Sequence, residues 1–299
     1  MAVEKNIITR RDFVTTTAQA SMAIALGLPL RLGPKTAEKT KSRVVLIRHA
    51  DAVDADRKIN AKIIADMLNE AVAVLQQQSE PLAAWRQLIT ATDIVGVKTN
   101  HWGPLPTPQE LEQAIVEKLR QVGVAEKNIS VRDQGIHLDE IFQHTTALIN
   151  IRPMRTHHWA GVGGCLKNYI LFSNSPSQHH PDTCASLGAV WQLPNLRQKT
   201  RVNILVLLTP LFHGIGPHHF DLKYTWAYRG LLVGNDPVAV DAVGLRIIEA
   251  HRLEYFGKRQ PLWPPAKHIG LADTVYQVGN ADLNNIELIK RGWAEGALI

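Results

Sequence analysis

Cysteine is scarce here: 299 residues hold only Cys165 and Cys184. Two thiols cannot supply the four ligands of an all-cysteine iron–sulfur cluster, so one chain alone does not carry such a cluster. In an oxidising compartment the pair could close a loop of about 20 residues as a disulfide worth about 3 kcal/mol. The alternative is that one or both bind metal. After residue 41 there is no Lys/Arg run interleaved with aromatics, which excludes nucleic acid as a partner class. The net charge of +6 does not contradict this: Lys5, Arg10, Arg11, Arg31, Lys35, Lys39 and Lys41 against Glu4, Asp12 and Glu38 place +4 of it in residues 1–41, leaving +2 for the rest. Internal repeats and low-complexity linkers are also missing, so residues 42–299 are expected to form a single α/β domain with a sizeable core.

The first 41 residues read as an address. Thr9-Arg10-Arg11-Asp12-Phe13-Val14 resembles the twin-arginine export motif, and an uncharged, moderately apolar stretch over residues 14–30 precedes Arg31 and Lys35. This is the n-, h- and c-region order of a secretory signal. Its Thr, Ala and Gly content and Pro29 make the stretch a poor permanent membrane span, and no other is expected. The resemblance implies the twin-arginine export machinery as a partner and a periplasmic or otherwise exported location. That pathway carries folded proteins, often with a cofactor or metal already inserted.

Strands are predicted over residues 42–48, 93–98, 128–132, 146–151, 202–208 and 230–233 from β-branched or continuous apolar runs. Helical spacing covers residues 60–77, and a second helical piece covers 81–90. Thr107 as N-cap, Pro108 at the first helical position and Glu110 at the third open a helix to about Val122, which Gly123 ends. Asp236 is placed to cap a helix over residues 237–251. The tail, including 270–278 and 286–290, reads as strands and turns. Strand, helix and strand at this spacing form a βαβ unit, so the expected fold is α/β, a mostly parallel or mixed sheet with helices on both faces.

Nine of the thirteen histidines fall between His137 and His219, several in pairs beside Gly, Pro or Ser. Imidazole titrates near neutrality and is the commonest metal ligand, so His157, His158, Cys165 and His218 are candidate ligands, with a transition metal as the cofactor they suit. No histidine pair shows helical i, i+4 spacing, and no Cys-x-x-Cys is present. Gly161-Val162-Gly163-Gly164-Cys165-Leu166-Lys167-Asn168 carries more information. Its glycines let backbone approach a ligand, the following helix N-terminus offers N–H groups to an anion, and Lys167 adds a formal charge. Asn168 stands where a Walker loop needs Ser or Thr, and the last glycine of GxGxxG is missing, so this is not an ordinary nucleotide loop. In open α/β sheets ligands bind outside the carboxyl ends of the strands. The loops expected there carry Lys98, Asn100 and His101; Asp133 and His137; His157 and His158; His213, His218 and His219; and Asn235 and Asp236.

Gly163-Gly164-Cys165-Leu166-Lys167-Asn168, Gly214-Ile215-Gly216-Pro217, Gly234-Asn235-Asp236-Pro237-Val238-Ala239-Val240-Asp241 and Val97-Lys98-Thr99-Asn100 together resemble the domain of unknown function 362 family, over roughly residues 43–290. Some members carry a ferredoxin-like cluster module, whose cysteines this chain lacks. His213 stands before Gly214 where relatives often have an acid. The chain is more weakly similar to the amino-terminal domain of nickel-pincer lactate racemases, in which a glycine-rich turn presents a cofactor-holding lysine and histidines ligate nickel.

The expected function is an exported enzyme using a metal or anionic cofactor in the strand-end cleft, acting on a small-molecule or anionic ligand. Lys167, His158 and His213 are the expected catalytic residues. Gly163, Gly164, Asn168, Lys98, Asn100, Gly216 and Asp236 are the expected cofactor-binding ones. Asp241, beside the apolar face of Val240, Val243 and Ile248, is expected to cap or pair. The alternatives are a non-catalytic periplasmic binder of metal or small anions, and a partner of an exported redox protein.

Overall fold

Successive residues of a strand face opposite sides of its sheet. In the computed structural model, which describes residues 40–214 and 219–299, β1 (Ser42–Arg48) sends Val44 and Leu46 into one apolar layer and Val45 and Ile47 into another. The same alternation runs through β4 (Ala147–His157), β6 (Thr200–Leu211) and β7 (Gly230–Gly234), where Leu148, Leu205 and Leu232 go one way and Ile149, Ile204 and Leu231 the other. A sheet buried on both faces needs helices on both.

With β2 (Val95–Lys98), β3 (Ile129–Arg132) and β8 (Ile286–Gly292), the sheet runs β3-β2-β4-β6-β7-β1-β8, and β5 (Gly161–Gly163) pairs with β4 at its end. β2 is parallel to β3 and β4, β4 to β6, and β1 to β8; β7 is antiparallel to both its neighbours. One face is covered by α1 (Ala61–Leu75), α2 (Pro81–Leu88) and α3 (Gln109–Val122). The other carries α4 (Glu140–His144), α5 (Cys165–Asn168), α6 (Leu187–Trp191), α7 (Pro237–Phe256) and α8 (Lys267–Thr274). This is the expected α/β class, with a mixed sheet. Among the described residues no helix is long and apolar enough to cross a membrane.

Four local expectations change. β4 runs on to His157, past the end expected at residue 151, because Arg152 and Arg155 are buried strand residues, and β6 runs past 208 to Leu211, which pairs with Arg155. Thr107 does not cap α3: its hydroxyl accepts from the Asn100 N–H at 3.2 Å, its own N–H donates to the Asn100 carbonyl at 2.8 Å, and the helix starts at Gln109. Residues 267–274 are helix, reaching into the 270–278 stretch expected as strand and turn, since His268, Ile269 and Ala272 bury one helical face. Finally, β7 is reversed. Gly234 pairs with Val44 and Asn203, at the starts of β1 and β6, so Asn235 and Asp236 leave the sheet at the rim opposite the other loops.

Asp236 is fully used at that opposite rim. Its Oδ1 accepts from the Val238 and Ala239 N–H groups, capping α7, while Oδ2 accepts from Ser42 Oγ at 2.5 Å and the Asn280 N–H at 2.8 Å. Removing this cap and cross-tie in Asp236→Ala is expected to cost about 2 kcal/mol in urea unfolding, with no change in ligand binding at the far rim.

Candidate functional site

The site grows out of β4, all of whose residues are buried although Asn150, Arg152, Arg155 and His157 are polar. Buried polar groups need partners. Asn150 Nδ2 donates to Asn203 Oδ1 on β6 at 3.0 Å and to the Cys165 carbonyl at 3.1 Å; its Oδ1 accepts from Asn168 Nδ2 at 2.8 Å. Asn168 Nδ2 also donates to the Ile151 carbonyl, and the Tyr169 hydroxyl closes the ladder on Asn203 Oδ1 at 2.6 Å. Lys98 Nζ, at the end of β2, donates to Asp133 Oδ1 at 2.9 Å, the Thr99 carbonyl at 2.7 Å and Asn168 Oδ1 at 3.3 Å. Burial pulls the Lys98 ammonium down to about 8, against the pull of Asp133. Lys98 and Asn168 therefore hold β2, β4 and α5 together. Asn100 accepts from an Arg155 guanidinium nitrogen at 2.8 Å, and that guanidinium lies over the Trp102 ring.

The glycines leave room for the protein's own groups. A Cβ on Gly163 would stand 2.7 Å from an Arg152 nitrogen, and one on Gly164 would run into the Asp241 carboxylate. Asp241 Oδ1 accepts from the Cys165 N–H at 2.6 Å and Oδ2 from the Leu166 N–H at 2.9 Å. The N–H groups that the sequence offered to an anion are thus taken by a carboxylate from α7. Burial lifts the Asp241 carboxyl to about 7 while those two N–H groups and Arg152 act the other way.

What remains is positive charge without partners. Arg152 and Lys167 are each only 4% exposed, and neither makes a hydrogen bond to a described residue; Arg152 Nε is wholly enclosed. Burial pulls Arg152 down to about 10 and Lys167 down to about 8, and the charges of Arg152 and Arg155 press further on Lys167. Burying charge in this way costs several kcal/mol per ion unless it is compensated. Neutral imidazoles ring the pair. Burial and then Arg152 and Lys167 push His157 far down; burial and then Lys167 take His180 to about 4 and His268, on α8, to about 3. His268 is fully buried, and neither of its ring nitrogens has a partner among the described residues. His157 stacks on His158 at 4.7 Å, His158 packs on Trp159 at 4.2 Å, and Trp159 on His180 at 3.9 Å.

The far wall is a strained turn. Asp182, Thr183 and Cys184 have φ of 46°, 58° and 61°, a left-handed run that a β-branched residue rarely joins. Strain of this kind costs on the order of 1–3 kcal/mol per residue and clusters at functional positions. It buries the Cys184 thiol within the fields of Lys167 and Arg152 and leaves Thr183 Oγ1 without a partner among the described residues. Cys165 and Cys184 are both free, so the disulfide reading does not hold.

Lys167, His157, His158, Gly163 and Gly164 are thus brought together. His213 is not among them: its Nδ1 lies 3.1 Å from Arg252, its ring packs on Tyr224 and Phe256, and its charged neighbours are Arg252 and Lys223. Asp236 is on the other rim, and Gly216, His218 and the twin-arginine stretch lie outside the described residues. Among the described residues no three His, Cys, Asp or Glu side chains form a group that could hold a metal ion, and Cys165 is sealed in the core. Of the expected set of His157, His158, Cys165 and His218, the three described members therefore do not form such a group, and His218 lies outside the described residues. Arg152, Arg155 and His268 were missed by the sequence reading. Arg152 directly follows the strand expected to end at residue 151 and Arg155 comes three residues later, a spacing that breaks the two-residue period of a strand and so gave little signal.

Asp241→Ala leaves two buried N–H groups unsatisfied and is expected to cost about 2–4 kcal/mol in urea unfolding. Asp241→Asn, which keeps one acceptor, is expected to cost clearly less.

No curated protein and no solved structure matches the chain. Residues 106–246 match the family model described as Domain of unknown function (DUF362). The matched stretch takes in Arg152, Lys167, Asn168 and Asp241 and leaves out Lys98 and Asn100. The match supports the DUF362 family for the part of the chain that builds most of the site.

Proposed function

We propose that this protein binds a small multivalent anion, of phosphate or polycarboxylate type, between the end of β4, α5, the 182–184 turn and α8, and acts on it as an enzyme with Lys167 as anchor and proton carrier. One observation carries the reading: two cations, Arg152 and Lys167, are buried with no hydrogen-bond partner among the described residues. Among the described residues, Lys98, Arg152 and Arg155 lie in the field of Asp133 and Arg152 also in that of Asp241, Lys167 is near neither, and both carboxylates are engaged in internal bonds. An anion would supply the missing counter-charge, and bidentate guanidinium geometry suits an oxyanion. His157, His180 and His268, held neutral by burial and then by the surrounding positive charge, would then serve as hydrogen-bonding or proton-accepting groups.

Isothermal titration with inorganic phosphate, pyrophosphate and citrate tests this. Binding of at least one is expected, weakened about tenfold or more by Lys167→Met or Arg152→Met, since each removes a charged hydrogen bond. Without anion, Arg152→Met should be as stable as the parent or more stable by about 1–3 kcal/mol, because it deletes an unpaired buried charge. Equal anion titrations for parent and both variants would sink the proposal. Binding is also expected to fall as pH rises through about 8, where Lys167 loses its proton.

Lys167 as proton carrier separates the enzyme from a binder: a binder would titrate the anion without turnover in any hydrolase, isomerase or oxidoreductase screen. Export through the twin-arginine machinery to the periplasm is proposed from the Arg10-Arg11 motif alone. Replacing both with Lys in the full chain is expected to retain the protein in the cytoplasmic fraction.

A further inference from the structure

The same rim carries, on the opposite face of the sheet, a cavity of about 570 Å³. Pro153, the residue after Arg152 on β4, forms part of its wall, and Val53, Ile59, Leu105 and Leu208 supply apolar lining. Its polar groups include His101, Glu112, Glu110 and Arg57. The size and the mainly apolar lining suit a small organic molecule.

His101 and Glu112 form a fixed pair. His101 Nε2 lies 2.9 Å from Glu112 Oε1, and the buried Thr99 hydroxyl donates to the same oxygen. The Glu112 side chain is 14% exposed, that of His101 51%. The His101 peptide N–H donates to Asp133 Oδ2 at 2.9 Å, and the Asn100–Thr107 bonds close the loop that carries it. With Nε2 donating to Glu112, the ring's other nitrogen, Nδ1, is an acceptor in the neutral tautomer. Both donors reach Oε1, and Oε2 receives no hydrogen bond from a described residue. The pair therefore offers a ligand two acceptors and no donor, and Glu110 adds a second carboxylate against Arg57. This is the reverse of the cationic pocket across the sheet.

We propose that this cavity binds a small organic amine in its ammonium form, its N–H groups donating to Glu112 Oε2 and His101 Nδ1 and its apolar body lying on Val53, Ile59 and Leu208. The site lies across the sheet from the cationic cluster, and Asp133 is bonded on both sides, to Lys98 and to the His101 N–H. A pair with only a structural role would stabilise the 99–107 loop without discriminating among ligands of one shape.

The test is an NMR-detected titration of the full chain with benzylamine, with benzyl alcohol and benzoate as neutral and anionic controls. Saturable binding of benzylamine is expected, with benzoate not binding. Loss of a charged acceptor in Glu112→Gln should weaken benzylamine about tenfold or more. Leu105→Trp, which narrows the cavity without touching either acceptor, should weaken all binding there, and circular dichroism shows that both variants fold. The proposal is overturned if benzyl alcohol or benzoate binds as well as benzylamine, if Glu112→Gln binds benzylamine like the parent, or if no saturation occurs up to about 10 mM, weaker than a small ligand in a formed pocket reaches.

Discussion

The Asp241 carboxylate, reaching from α7 into the turn after β5, is the contact on which the rest of the site depends. By taking the Cys165 and Leu166 N–H groups it fixes the direction of α5. That direction drops Asn168 into the ladder with Asn150 and Lys98 and turns Lys167 toward Arg152. Gly164 is the consequence: any side chain there would displace the carboxylate. A burial that lifts the Asp241 carboxyl to about 7 is the cost of this arrangement, offset by two N–H donors and the nearby guanidinium.

The ladder and the cations do opposite things to stability. Asn150, Asn168, Asn203 and Tyr169 are mutually satisfied, so they specify the pairing of β2, β4 and β6 at little net cost. Arg152 and Lys167 are buried without a hydrogen bond to any described residue, and the three left-handed residues at 182–184 add strain beside them. Natural chains keep such local conflicts mainly at functional positions. The concentration of both conflicts in one place is what singles this cluster out.

Much of the fold was legible because it rests on local signals. β1, α1 and the αL stop at Gly123 follow from apolar spacing and single capping residues, as does the Asp236 cap on α7. The site was legible only in part. Lys167 and the His157–His158 pair were visible as chemistry, but the end of β4 was misjudged because charged residues normally end a buried strand, and that of β6 because Thr209 and Pro210 interrupt its apolar run. The reading of 270–278 as strand and turn missed the helix over 267–274 because one buried helical face of three residues leaves almost no periodic trace.

Direction and partnership were decided elsewhere. Whether a strand such as β7 runs with or against its neighbours depends on pairing with β1 and β6, residues far away in sequence, and that choice sent Asp236 to the opposite rim. Likewise, a glycine-rich turn before a lysine has the same local appearance whether its space receives a ligand or the side chains of Arg152 and Asp241. The sequence by itself determined the α/β class, the places of most elements and the presence of Lys167. Only the tertiary structure decided which polar groups are satisfied from within and which are left asking for a ligand, because hydrogen-bond satisfaction is a property of distances between segments.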